Sequence, residues 1–528
     1  MAQGGGWLER SRTIAGPGFN RWLIPPCALA IHLCIGMAYG FSVFWLPLAH
    51  AIGIKDPVKC SGLTLVTALT TTTCDWRVSD LVWTYTLFFV VLGAAAAVWG
   101  GWLERVGPRR AGVVAAFCWC GGLGIAAIGV SLHQLWLIWL GSGVIGGIGL
   151  GLGYISPVST LIKWFPDWRG LATGMAIMGF GGGALVGSPL ADLLMKHFVG
   201  PNGVGVWQTL LILAAGYLVY MIAGALGYRV PPEGYAPTGW TPPVAAATRF
   251  NVALSDVHRT PQFWLIWATL LLNVSASIGI IGVASPMLQE IFGGRLVHAA
   301  GVPFVAFDEV QTKAAATVGA GFVGMISLFN IGGRFFWASL SDRVGRKPLF
   351  AVITALGAAL YGVAAPAVAG TSLGLFIVVV AVIASMYGGG FAAVPAYLAD
   401  TFGTRFVGAI HGRLLTAWSL AGVVGPLLVA NLRDARIAAG VPRPEVYTSI
   451  FLLLAGMLVV AFVTNLLVGP VAPKWHMAAG DTPAPAASPA SGHAGKIDLA
   501  VVLAWAAVGL PVAWGVYTAV LKASVLLN

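Results

Sequence analysis

Residues 321–348 read GFVGMISLFNIGGRFFWASLSDRVGRKP, and the rest of the chain is organised around this stretch. An apolar run carries one cation, Arg334, with six uncharged residues on either side, and ends in the charged segment Asp342, Arg343, Gly345, Arg346 and Lys347. A helix rises about 1.5 Å per residue, so the guanidinium does not reach water by stretching along the axis. Arginine at the centre of a bilayer costs from about 3 to more than about 10 kcal/mol, and such a residue faces a polar cavity or a partner. Arg334 is therefore a site candidate by default.

The charged end reads as a tight turn between two membrane helices. Residues 100–110, GGWLERVGPRR, repeat it with Glu104 in the acidic place, followed by Arg105, Gly107 and Arg109. The offset, 342 minus 104, is 238, and it also relates Gly345 to Gly107, Pro395 to Pro157, Gly408 to Gly170, Gly412 to Gly174 and Gly425 to Gly187. One offset shared by several pairs indicates two tandem halves. The residue 238 before Arg334 is Ala96, so the cation breaks the symmetry. The turn itself resembles the D-R-x-G-R-K loop of the major facilitator superfamily, in which it is a gating element.

With 58% hydrophobic residues and 9% charged over 528 residues, the chain is no soluble globule, whose charged fraction is near a quarter. It reads as an all-α polytopic membrane protein. The net charge of +11 does not form a basic face of the kind nucleic acid needs. Most Lys and Arg lie at the ends assigned to the cytoplasm, the asymmetry that sets topology. Cys27, Cys34, Cys118 and Cys120 lie in apolar helices and read as packing residues. Cys60 and Cys74 share a polar outer segment, and either a bridge or two free thiols fits their spacing.

Residues 1–21 are a cytoplasmic tail with Arg10, Arg12 and Arg21, not a signal peptide. An N-terminal six-helix half is expected over 22–228, a proline-interrupted cytoplasmic linker over 229–262, and a C-terminal six-helix half over 263–472, with helix seven continuous from 263 to 292. Residues 473–496 have the composition of a flexible tether. Residues 497–528 then supply a thirteenth transmembrane helix, spanning 499–521, as an accessory packing helix or an anchor for a membrane partner. The Gly-x-Gly spacing at 149–153 follows no strand, so it reads as helix packing rather than a nucleotide loop.

In a helix, residues three, four and seven apart share a face, so Ser327, Asn330, Arg334 and Trp337 line one stripe. A guanidinium fits a carboxylate bidentately and stays charged at any working pH, which points to an anionic ligand. The other reading is a structural arginine satisfied within the protein. His32 lies near mid-depth of helix one and is a candidate for binding protons or ligand, against a packing role. No buried acid stands at mid-depth, which favours anion exchange or facilitated anion transport over proton coupling. Tyr39, Tyr154, Tyr387 and Trp418 are candidates to line or gate a cavity, against lipid-facing or packing roles. His411 and Arg413 are placed at the cytoplasmic mouth and lack the further ligands of a metal site. No cofactor is expected, and no nucleophile with its base marks an enzyme.

Four segments together resemble the oxalate/formate antiporter family within the major facilitator superfamily. They are NRWLIPPCALAIHLCIGMAYGFSVFWLPL at 20–48, GLGYISPVSTLIKWFPDWRGLATGMAIMGFGGGALVGSPL at 151–190, SLFNIGGRFFWASLSDRVGRK at 327–347 and HGRLLTAWSLAGVVGPLL at 411–428. The resemblance implies a major facilitator fold of twelve core helices, alternating access, and small carboxylates as cargo in a bacterial inner membrane. It also implies that Arg334 matches the helix-eight arginine that clamps a carboxylate. The family's characterised dicarboxylate exchanger adds a lysine in helix eleven. Helix eleven here has none, and Trp418 stands near that place. One buried cation suits one carboxylate better than two, which turns the expectation from oxalate toward a monocarboxylate. The alternatives are a carrier of a neutral or cationic solute with Arg334 structural, and a membrane receptor or regulatory subunit that binds an anion without transport.

Overall fold

The computed structural model describes residues 6–53, 58–60, 64–200, 203–240, 250–299, 301–477 and 498–524. Most of the proposed tether at 473–496 thus lies outside the described residues. Among the described residues, thirteen helices are long and apolar enough to cross a membrane, and the protein is a multi-pass membrane protein. The first six are α1 (Arg21–Leu48), α2 (Val78–Val106), α3 (Pro108–Ser131), α4 (Leu135–Trp164), α5 (Arg169–Phe198) and α6 (Val206–Gly227). The next six are α7 (Pro261–Gly282), α8 (Glu309–Val344), α9 (Arg346–Val368), α10 (Leu373–Phe402), α11 (Val407–Ala438) and α12 (Arg443–Leu466). The last is α13 (Leu499–Leu521).

Helix boundaries follow local chemistry. α2 and α3 meet at Gly107 with φ of 88°, and α8 and α9 meet at Gly345 with φ of 90°, so the two repeated turns share one left-handed glycine. At the start of α8, Asp308 accepts from the Gln311 amide and Gln311 answers to the Asp308 amide, a capping box that draws Glu309 into the helix. Helix seven is not continuous over 263–292. α7 stops at Gly282, and a separate short helix, Ala284–Phe292, follows. Pro286 has no amide to give Gly282, and its ring crowds that carbonyl.

The chain forms two compact units. The first comprises Met1–Val257, Leu398–Ser419 and Ala472–Ala513, and the second His258–Tyr397, Leu420–Val471 and Trp514–Asn528. α10, α11 and α13 each contribute to both.

Within the first unit, glycines let helices touch backbone to backbone. A Cβ on Gly183 would stand 2.4 Å from the Leu33 carbonyl oxygen, and one on Gly36 2.1 Å from that of Phe180. Gly149 and Gly151 do the same against Trp119 and Leu92, so the Gly-x-Gly of α4 is a packing surface. Cys60 and Cys74 are joined by a disulfide. Beside it the Trp76 and His133 rings stack at 3.8 Å, and three amides, of Ile52, Gly53 and Val58, donate to the Asp75 carboxylate. α13 packs on α1 and α6: the Trp505 indole donates to the Trp22 carbonyl at 3.1 Å, Tyr220 donates to that of Ala507 at 2.7 Å, and Val508 joins Leu29, Ala30 and Leu33.

In the second unit the short helix carries Glu290, buried at 3% exposure. Its carboxylate accepts from Tyr447 at 2.6 Å, from Arg443 at 3.0 Å and from Arg433, tying the short helix to α11 and α12.

Candidate functional site

α8 and α10 meet where neither has a side chain. A Cβ on Gly333 would lie 2.0 Å from the Ser385 carbonyl oxygen, and one on Gly388 2.0 Å from that of Asn330. This contact sets Arg334 between the helices with its side chain fully buried. Its Nε donates to Asn330 Oδ1 at 3.1 Å, and Asn330 Nδ2 donates to the Ala384 carbonyl at 3.3 Å. The guanidinium carbon stands 5.8 Å from the centre of the Phe391 ring, within cation–π range. Asn330 and the Phe391 ring thus orient a permanent cation.

The predicted stripe divides on inspection. Asn330 joins Arg334, whereas Ser327 donates to the Val323 carbonyl one turn back, and the Trp337 indole donates to Ser385. Tyr387 is buried on α10 with its ring 6.4 Å from that of Phe391. Phe391 did not figure in the sequence reading, although it lies one turn beyond Tyr387 on the same helix face.

The first unit gathers an aromatic cluster. Trp418 lies 5.3 Å from Tyr154, 5.6 Å from Phe180, 5.2 Å from Phe89 and 6.4 Å from Tyr39. Tyr39, Tyr154 and Trp418 therefore do meet, and Phe89 and Phe180, two of many phenylalanines in apolar runs, complete the group without a sequence signal. Tyr39 sits in a 3₁₀ stretch of α1, Gly36–Phe44. His32 is fully buried, with its ring stacked on Tyr154 at 5.2 Å. His411 is also buried, at 1% exposure, and its ring lies 5.8 Å from that of Tyr154. It is thus an interior group, because the second turn of α11 is packed within the first unit. Arg413, beside it, donates to the Leu254 carbonyl.

The repeated turns have different partners. Glu104 takes Lys163 at 2.6 Å, Ser159 at 3.3 Å and, across to the start of α11, the Gly408 amide at 3.0 Å. A carboxylate at that helix end also complements the helix dipole. Arg109 is buried and donates to the carbonyls of Tyr228 and Trp7, while Arg105 is exposed. In the second turn Asp342 pairs with Arg346, which also donates to Ser341, and Arg343 is exposed.

The comparisons with known proteins agree with this architecture. The chain is 26% identical over 407 residues to the oxalate:formate antiporter of Oxalobacter formigenes, covering 77% of this chain and 83% of that protein. It is also 26% identical over 430 residues to human monocarboxylate transporter 11, covering 80% and 79%. Among solved structures, the Escherichia coli fucose:proton symporter superposes with a TM-score of 0.58 at 12% identity, over 85% of this chain and all of that one, a likeness of fold alone. The family model described as Major Facilitator Superfamily matches residues 28–426 and again 309–527, and by that match the chain belongs to the major facilitator superfamily.

Proposed function

We propose that this protein carries small monocarboxylates across a bacterial inner membrane by alternating access, with Arg334 as the anion anchor. The observation behind it is a fully buried guanidinium held by a neutral amide, Asn330, and faced by the Phe391 ring. A guanidinium is a permanent, planar donor fork, and a carboxylate matches it with two parallel hydrogen bonds. The names of the relatives, an oxalate:formate antiporter and a monocarboxylate transporter, lie in the same chemical class. α11 contains no lysine, and its Arg413 and Arg433 are engaged by the Leu254 carbonyl and by Glu290, which favours one carboxyl group. The basic residues of the Glu104 and Asp342 turns support a cytoplasmic side for those turns and for the N-terminus.

Uptake of labelled formate, lactate and oxalate into proteoliposomes, preloaded or empty, tests this with wild type beside Arg334→Gln. Uptake of a monocarboxylate that is lost in a folded variant supports the anchor, and dependence on an internal anion identifies exchange. Normal transport by the variant, or no movement of any of the three acids, refutes the reading.

A further inference from the structure

α13 has a proline in its interior. Pro511 has no amide proton, so the carbonyl of Ala507, four residues earlier, loses its helical donor. In a bilayer no water stands in for that donor, and the carbonyl needs a partner from a neighbouring helix. Tyr220 of α6 supplies it, its hydroxyl donating to the Ala507 carbonyl at 2.7 Å. The same exchange runs the other way at the start of α1. Pro25 and Pro26 occupy the places from which amides would bond the Trp22 carbonyl, and the Trp505 indole of α13 donates to it at 3.1 Å. Each of two carbonyls left open by prolines is thus closed across the helix pair, and Val508 packs on Leu29, Ala30 and Leu33 beside them. These contacts fasten the first half of α13 to the first unit.

The next turn is built differently. Gly509 lies in the helix interior, where glycine is a poor residue. Close packing does not require it there: among the described residues a Cβ at Gly509 would meet nothing within 4 Å, in contrast with Gly36 and Gly183. Gly509 and Pro511 together weaken one turn of the helix. The division between the compact units falls just beyond it, between Ala513 and Trp514. Past that point the chain belongs to the second unit. There Ala519 is buried, and its carbonyl oxygen stands 3.7 Å from where a Cβ on Gly324 of α8 would lie. α8 is the helix that carries Arg334.

From this arrangement we propose that α13 is a jointed brace. Residues 499–508 are locked to α1 and α6, residues 514–521 travel with α8, and the turn from Gly509 to Pro511 bends between them during the transport cycle. Bending breaks no hydrogen bond at Ala507, because Pro511 never made one and Tyr220 holds that carbonyl from outside the helix. A stiff helix in the same place would resist the cycle, so the joint sets the rate. The link to a transport cycle rests on the carboxylate-carrier reading, whereas the lock and the joint stand on the helix contacts.

A double-mutant cycle in the full-length protein tests the lock. Tyr220→Phe should lower the melting midpoint in detergent by about 2 °C, and by less than half as much in a Pro511→Ala background, where an amide proton returns to the Ala507 carbonyl. Equal shifts in both backgrounds, or none in either, overturn the lock. The joint is read without transport, from spin labels at Leu503→Cys and Val520→Cys, both exposed positions, after Cys27, Cys34, Cys118 and Cys120 are replaced by alanine. In phosphatidylethanolamine–phosphatidylglycerol vesicles the label-to-label distance should be broad or double-peaked, and the added pair Gly509→Ala and Pro511→Ala should narrow it to one peak. The same narrow peak in both proteins overturns the joint, whatever is transported. With labelled lactate, formate and oxalate, the Gly509→Ala and Pro511→Ala variant should show a maximal counterflow rate at least about threefold lower at unchanged half-saturation, since neither residue belongs to the anion anchor. A wild-type rate in that variant overturns the rate-setting role and leaves the carboxylate reading standing. Movement of none of the three acids by wild type refutes the carrier reading and the rate-setting role with it, and the distance measurement then decides the joint alone.

Discussion

The two compact units carry their buried polarity in different forms. The second holds a permanent cation, Arg334, oriented by Asn330 and Phe391. The first holds two imidazoles, His32 and His411, within an aromatic cluster. The sequence repeat makes the contrast specific. The repeat mate of Arg334 is Ala96, which is buried at a point where a Cβ on Gly412 of α11 would lie 2.2 Å from its carbonyl oxygen. That space is filled by a helix, not a ligand. Trp418, by contrast, has an aromatic mate at the same offset, Phe180, and the two rings meet at 5.6 Å. The repeat keeps the two turn glycines, Gly107 and Gly345, while Arg334, His32 and His411 stand where it is broken, opposite Ala96, Leu270 and Thr173.

The sharpest way to break this comparison is at Arg334. Arg334→Gln should weaken apparent carboxylate affinity by about 3 kcal/mol, roughly a hundredfold, because it removes one partner of a desolvated charge pair. Arg334→Lys should recover part of that, since it restores charge without the planar fork. Equal affinity in all three proteins, measured by inhibition of lactate uptake, would remove the distinction between the units.

A stability test comes next. Glu290→Gln leaves Arg433 and Arg443 facing a neutral amide, and it should cost about 2 kcal/mol, less than a fully buried pair because both arginines retain some exposure. A thermal melt in detergent reads this as a lower midpoint, while an unchanged midpoint would show the network to be dispensable.

The turns differ by a smaller amount. Glu104→Gln should cost about 1 kcal/mol and Asp342→Asn less, because Glu104 joins α4 and α11 whereas the contacts of Asp342 with Arg346 are within one turn of chain. Parallel melts and transport rates of the two variants check the order, and equal effects would mean that the turns are interchangeable.

The smallest effect concerns pH. Burial pushes His133 below its ordinary 6.5, against the raising influence of the Cys74 carbonyl and of Asp75. The unfolded chain therefore takes up the proton first, so stability falls as pH drops below about 6.5 and is unaffected above it. His133→Gln should flatten that slope in melts at pH 5 to 8, and a slope unchanged by the substitution would exclude His133 as its source.

Much of the fold was legible because bilayer insertion acts on long windows. The thirteen spans, the paired glycine turns and the buried Arg334 all follow from runs of apolar residues and one offset. The break in helix seven was also present in the sequence, in the spacing of Gly282 and Pro286, although a hydropathy window passes over it. The aromatic cluster was only partly legible. Tyr39, Tyr154 and Trp418 are distinctive residues, but Phe89 and Phe180 resemble any lipid-facing phenylalanine until the helices are packed.

By itself, the sequence determined that the chain is a multi-helix membrane protein built as a repeat, with one cation out of register, because cost in a bilayer depends on residue type and span length. Only the tertiary structure decided which side chains meet. Ser327 turned to its own helix while Asn330 took Arg334, His411 entered the interior, and His32 came to rest between two carbonyl groups. Those outcomes depend on backbone approach at glycines such as Gly179, Gly333 and Gly388, and the distance between two helices is a property of their packed pair that neither sequence segment contains alone.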